Sequence, residues 1–158
     1  MRLVFPSDLL TTTELDLDVL WRMGLSVVCG VAVGFNRSHS GRHHPHRMRV
    51  HVLVGLSACL LVLAAGAGVD SRSRAIQGVA TGVGFLGAGE ILQEPSSRKR
   101  GEPAQVRGLT SAASIWFTAA LGVTVATSRP SVAAIALILA LVVLTFAGRN
   151  GRDQNNTR

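Results

Sequence analysis

The residues of this 158-residue chain that could do chemistry are few and unevenly placed. All five histidines fall between residues 39 and 51, as His39, His43, His44, His46 and His51. Imidazoles at that density can ligate zinc or nickel, and the segment RSHSGRHHPHRMR contains no carboxylate to compete with them. Gly41 and Pro45 make the segment irregular, however, and its four arginines repel a cation. A solvated basic loop resting on anionic lipid head groups is the better reading, which leaves His39, His43, His44 and His46 as weak metal candidates. Cys29 and Cys59 lie in apolar surroundings without metal-ligand spacing and are expected to be buried free thiols. No nucleophile is accompanied by a base, and no Walker-type phosphate loop or catalytic carboxylate cluster is present, so no enzyme and no resident cofactor is expected.

The elements that must position these residues are apolar helices. Residues 17–35, 50–67, 75–92, 110–126 and 131–147 are almost entirely Leu, Val, Ile, Ala and Gly, and hold only three charges, Asp18, Arg22 and Glu90. A helix crossing a hydrocarbon core of about 30 Å needs roughly 17 to 25 apolar residues, which each stretch reaches. A soluble bundle would require a polar face on each helix. VAAIALILALVVLTF (132–146) has none, its one polar member being Thr145. The expected fold is therefore an all-α integral membrane bundle of five transmembrane helices. It is preceded by an N-terminal segment (1–16) too acidic and too interrupted by Pro6 for a cleaved signal peptide. A polar tail (148–158), expected to be disordered, follows the last helix.

The net charge of +7 orients this bundle and does not mark a nucleic-acid surface. Seven aromatic residues are poor material for reading bases. Eleven of the sixteen Lys and Arg residues fall in the 36–49 link, the 93–109 link and the tail, whereas four lie on the alternate side. The excess of positive charge on cytoplasmic loops then places the amino terminus outside and the carboxyl terminus in the cytoplasm. Arg22 is the one basic residue inside a span, with Asp18 one helical turn before it. An intramembrane charge is a functional candidate by default, and pairing with Asp18 near the outer surface is the favoured reading. Pro130 suits the first turn of the fifth helix.

The third stretch, AIQGVATGVGFLGAGEIL, carries Gly78, Gly82, Gly84, Gly87 and Gly89. Glycine at that density weakens a helix in water by up to about 1 kcal/mol each, but in lipid small residues allow close helix contact. Gly78 and Gly82 form one such pair, with Gly84 and Gly87 on other faces, so this helix is expected at the centre of the bundle. Gly30 and Gly34 mark the first helix as its neighbour. At RGLT (107–110) and Ser111 two readings stay open: an anion contact at a helix start, or capping by Thr110 or Ser111.

GVGFLGAG (82–89), followed after a basic loop by VRGLTSAASIW (106–116), with GVAVGFNR and RVHVLVGLSA upstream, resembles the MgtC/SapB family of bacterial membrane proteins. The resemblance covers about residues 19–147 and implies a multi-pass inner-membrane protein tied to magnesium homeostasis, here of the short, membrane-only type. It implies regulation of another membrane complex such as an ATPase, or alternatively direct Mg²⁺ transport by an oligomer. The expected partners are thus the lipid bilayer, such a membrane protein and further copies of the chain, with no nucleic acid. Mg²⁺ enters only as a sensed or transported ion, and a single Glu offers it few oxygen ligands. Two positions depart from the family pattern: Asn36 stands where a Glu usually precedes Arg37, and Glu90 follows GFLGAG where an apolar or small residue is usual. Glu90 is expected to supply the carboxylate lost at position 36, pairing with Arg37, Arg49 or Arg107.

Overall fold

A computed structural model describes the backbone of residues 13–39, 45–92 and 108–153, and the side chains of 17–38, 47–91 and 108–146. These residues form five helices and no strand: α1 (Thr13–His39), α2 (Pro45–Ala64), α3 (Val69–Leu92), α4 (Leu109–Thr127) and α5 (Pro130–Asp153). The five expected helices appear in the expected order, with several ends displaced. Helix α2 starts at Pro45, which suits a first turn because its missing N–H would be unpaired there. The helix stops at Ala64, before Gly66 adopts a left-handed conformation with φ 74°. Helix α3 begins six residues before its apolar stretch, and α5 runs through Asp153 where a disordered tail was expected. Apolarity marks the part of a helix suited to lipid, whereas the helical backbone continues into its polar ends.

Among the described residues three helices, over Leu17–Ser38, Arg47–Ala64 and Leu109–Thr127, are long and apolar enough to cross a membrane, and a shorter apolar helix covers Pro130–Phe146. Large apolar side chains point outward along the bundle, among them Trp21, Leu53, Phe85, Leu139 and Phe146. An outer surface of that kind calls for an apolar solvent or a partner.

Helix α4, and not α3, is the centre. It packs against each of the other four helices. Its buried side chains include Ser111, Ser114, Ile115, Thr118, Leu121 and Val125. One core cluster joins Cys29 and Val33 of α1, Cys59 and Val62 of α2, Leu121 and Val125 of α4 and Ala133 of α5. A second joins Ala58 of α2 and Val79 and Val83 of α3 to Ile115 and Ala119 of α4. Both cysteines are free and buried, as expected.

The glycines explain the arrangement. A Cβ on Gly122 of α4 would run into the Gly55 carbonyl oxygen of α2. On α1, a Cβ on Gly30 would lie 2.7 Å from Val52 Cα, and one on Gly34 2.9 Å from Met48 Cα. Gly30 and Gly34 are therefore packing residues, but their partner is α2 and not α3. Helix α3 instead uses Val79, Val83 and Gly87, spaced one turn apart. A Cβ on Gly87 would meet Ala112 at ordinary contact distance, whereas one on Gly78, Gly82, Gly84 or Gly89 would meet none of the described residues. The expectation that these four pack inside the bundle is thus overturned: the valine row next to them makes the contact and turns them outward. Gly122→Val is expected to lower stability by about 1–3 kcal/mol through overpacking, while Gly82→Ala should change it by less than about 0.5 kcal/mol. Thermal midpoints of the variants in one detergent check both.

Candidate functional site

The polar side chains gather at the two ends of α4. At its carboxyl end Arg22 of α1 makes the expected pair with Asp18, Nε to Oδ2 at 2.7 Å. Its Nη1 also donates to the carbonyl of Val125 at 2.8 Å and that of Ala126 at 3.3 Å. The last carbonyls of a helix lack intrahelical partners and carry the negative end of its dipole, so Arg22 closes α4 and fastens it to α1. The pair with Asp18 is the one that the spacing suggests.

At the amino end of α4 five helices converge. Arg37 Nη2 near the end of α1 and Arg47 Nη1 near the start of α2 both donate to Ser111 Oγ, each at 3.2 Å. Asn36 Nδ2 donates to Thr145 Oγ1 of α5 at 3.0 Å. Helix α3 arrives through Gly108, whose φ of 85° is a left-handed conformation and whose Cβ would lie 2.7 Å from the Glu90 carbonyl oxygen. Glycine is required there twice, by conformation and by close approach. Gly108 is also the N-cap of α4 and supplies no side-chain hydrogen bond. Neither Thr110 nor Ser111 therefore caps the helix, and the Ser111 hydroxyl is committed to the two arginines.

Beneath Ser111 lies His51, 3% exposed. Its Nδ1 is 2.7 Å from the Arg47 carbonyl oxygen, an acceptor only, so Nδ1 carries a proton. Its Nε2 is 3.1 Å from Ser114 Oγ, and Ser114 Oγ is 2.8 Å from the Ser111 carbonyl oxygen. A hydroxyl has one proton to give. With neutral His51 that proton serves either Nε2 or the Ser111 carbonyl, and both bonds form together only when Nε2 is the donor.

The remaining expected residues divide. Glu90 is half-buried and close enough to act electrostatically on Arg37 and His51. It forms no ion pair with Arg37 or Arg49 among the described residues. The expected pairing with these two arginines is not made, because Gly108 brings the backbone of Glu90, and not its carboxylate, against the start of α4. Arg49 is exposed, and Arg107 lies outside the described residues. His43 and His44, with the side chains of His39 and His46, also lie outside them, and no group of three His, Cys, Asp or Glu able to hold a metal occurs among the described residues.

Sequence reasoning missed His51, grouping it with the basic loop, and missed Ser114. The signals were a histidine inside the apolar run VHVLVGL and hydroxyls at 111, 114 and 118, spaced along one helical face.

Residues 23–152 match the MgtC family. The chain belongs to the MgtC family. Similar proteins include SrpB of Synechococcus elongatus, 43% identical over 114 residues, covering 67% of this chain and 62% of SrpB. YhiD of Escherichia coli K12, named for magnesium transport, is 32% identical over 130 residues, covering 75% of this chain and 55% of YhiD. The protein MgtC of Brucella abortus is 34% identical over 116 residues, covering 72% of this chain and 44% of that protein. The matched region thus spans between 44% and 62% of these relatives' lengths. No solved structure matches the chain. The matched MgtC-family region contains all of α4 and every residue of the polar cluster at its amino end, whereas Asp18 and Arg22 lie just before it.

Arg22→Met removes the bonds to the end of α4 and is expected to cost about 1–3 kcal/mol. Asp18→Asn should cost under about 1 kcal/mol, because an exposed ion pair contributes little. Denaturation of the two variants and of the double variant separates the carbonyl contacts from the ion pair.

Proposed function

We propose that this MgtC-family chain is a five-span protein of the bacterial inner membrane that serves magnesium homeostasis by regulating another membrane complex, such as an ATPase, without itself carrying Mg²⁺. The observation that carries this reading is the pairing of Arg37 and Arg47 on one hydroxyl where the five helices converge. A divalent cation leaving or entering the bundle at that end would meet two guanidinium charges, whereas Mg²⁺ is bound through carboxylates, phosphates and water. The orientation proposed has the amino terminus outside and the carboxyl terminus in the cytoplasm. It puts the arginine cluster on the cytoplasmic side, where basic residues are favoured.

The open face of α3 supports a regulatory role. Gly78 and Gly82 line an apolar groove of about 240 Å³ between α2 and α3, walled by Leu53, Leu61 and Leu86. No helix of the described chain closes onto these glycines. A transmembrane helix of the regulated complex fits that chemistry, since small residues permit close backbone approach in lipid. The alternative reading, direct Mg²⁺ transport by an oligomer, is favoured by the name of the relative YhiD.

Purified protein reconstituted into liposomes with a Mg²⁺-sensitive dye inside should give no flux above protein-free liposomes. Saturable, protein-dependent Mg²⁺ entry would overturn the regulatory reading. Gly82→Leu, which fills the groove and leaves the core untouched, is expected to abolish the protein's effect on growth in low magnesium with an unchanged thermal midpoint; retention of that effect would remove the groove as the contact surface.

A further inference from the structure

From the cluster at the start of α4 we infer that the chain binds a phosphate group there, held by Arg37, Arg47, Ser111 and the first-turn amides of α4. Around Ser111 donors outnumber acceptors, although the neighbouring Asn36 Oδ1 is a buried acceptor without a partner among the described residues. Two guanidinium groups, from α1 and α2, share the single oxygen of Ser111. A hydroxyl oxygen has two lone pairs, and the two arginines occupy both. Arg37 Nε is enclosed and has no hydrogen-bond partner. Arg47 engages more than Ser111, and its five N–H donors can serve those contacts and a ligand together.

The electrostatics point the same way. Arg47 acts against the Arg37 charge and Glu90 offsets part of that effect, while the positive end of the α4 dipole adds to both arginines. Arginine near a helix start is unfavourable, whereas an anion is stabilised there. The N–H groups of the first turn have no intrahelical acceptor, and Gly108 offers no side-chain cap. Ala112 N–H is the first turn's inward bond, to the Gly108 carbonyl at 2.8 Å. The nearby Glu90 forms no ion pair with Arg37.

A phosphate supplies what is lacking. Its oxygens accept from both guanidiniums and from the first-turn amides, and its charge balances the pair. A small rotation of Arg37 toward it turns the unsatisfied Nε and an Nη into a two-pronged contact. The Ser111 hydroxyl, relieved as acceptor, becomes a donor. The phosphate group can come from an anionic phospholipid head group or from free phosphate. The same chemistry recognises both, and the site does not depend on whether the chain regulates a partner or moves Mg²⁺.

The test uses the full chain in two arms. In detergent, binding of radiolabelled inorganic phosphate is measured by equilibrium dialysis. In nanodiscs, the thermal midpoint is compared between phosphatidylcholine alone and phosphatidylcholine with phosphatidylglycerol, and retained lipid is counted by native mass spectrometry. One bound phosphate or one retained phosphatidylglycerol per chain is expected, the responding arm naming the source. Arg37→Gln and Arg47→Gln should each weaken binding at least about tenfold, and Arg37→Lys by an intermediate factor, because charge remains while the two-pronged contact is lost. Ser111→Ala, which leaves both arginines and the core in place, guards against misfolding and should weaken binding about threefold to tenfold. Failure of wild type in both arms, or binding by folded Ser111→Ala and Arg37→Gln equal to wild type, overturns the site.

Discussion

Helices α2 and α4 approach so closely at Gly55 and Gly122 that a Cβ on Gly122 has no room. That distance of closest approach governs much of the bundle. It brings the hydroxyl-bearing face of α4 against α2, so that His51 meets Ser114 and Arg47 meets Ser111. Helix α1 closes on α2 through Gly30 and Gly34, and its Ser26 lies against Gly55 beside Thr118 of α4. Van der Waals packing is a main source of helix association in lipid, where apolar burial brings little gain. Glycine contacts of this kind are therefore the natural place for the organising constraint.

The two ends of α4 are treated oppositely although arginine serves at both. At the carboxyl end Arg22 meets free carbonyls and the negative pole of the helix, and the match is complete. At the amino end Arg37 and Arg47 meet the positive pole and share a neutral hydroxyl. The first end is built for stability. At the second, two guanidinium groups share one neutral oxygen and Arg37 Nε has no hydrogen-bond partner among the described residues.

Much of this was legible beforehand in particular residues. The five helices and their order followed from apolar stretches separated by basic links, the Asp18–Arg22 pair from spacing, and Gly30 and Gly34 from their separation as small packing residues. The family followed from GVGFLGAG and VRGLTSAASIW. What failed was the choice among glycines. The row at 78, 82, 84 and 89 looks denser than Gly55 or Gly122, yet the two isolated glycines hold the centre and the dense row faces outward. His51 was hidden by its position beside a histidine-rich loop, although it lies within α2, one turn beyond Arg47.

The sequence by itself determined that the described residues are helical, that they form five helices in this order, and where positive charge accumulates along the chain. Those properties are local, set by each residue's apolarity and its neighbours along one helix. Only the tertiary structure decided that α4 is the centre, that α3 packs through Val79, Val83 and Gly87 with its other glycines open, and that Arg37, Arg47, Ser111 and His51 lie together. Each face of a helix presents a different set of residues, and which face is covered depends on backbone approach between segments far apart in the chain.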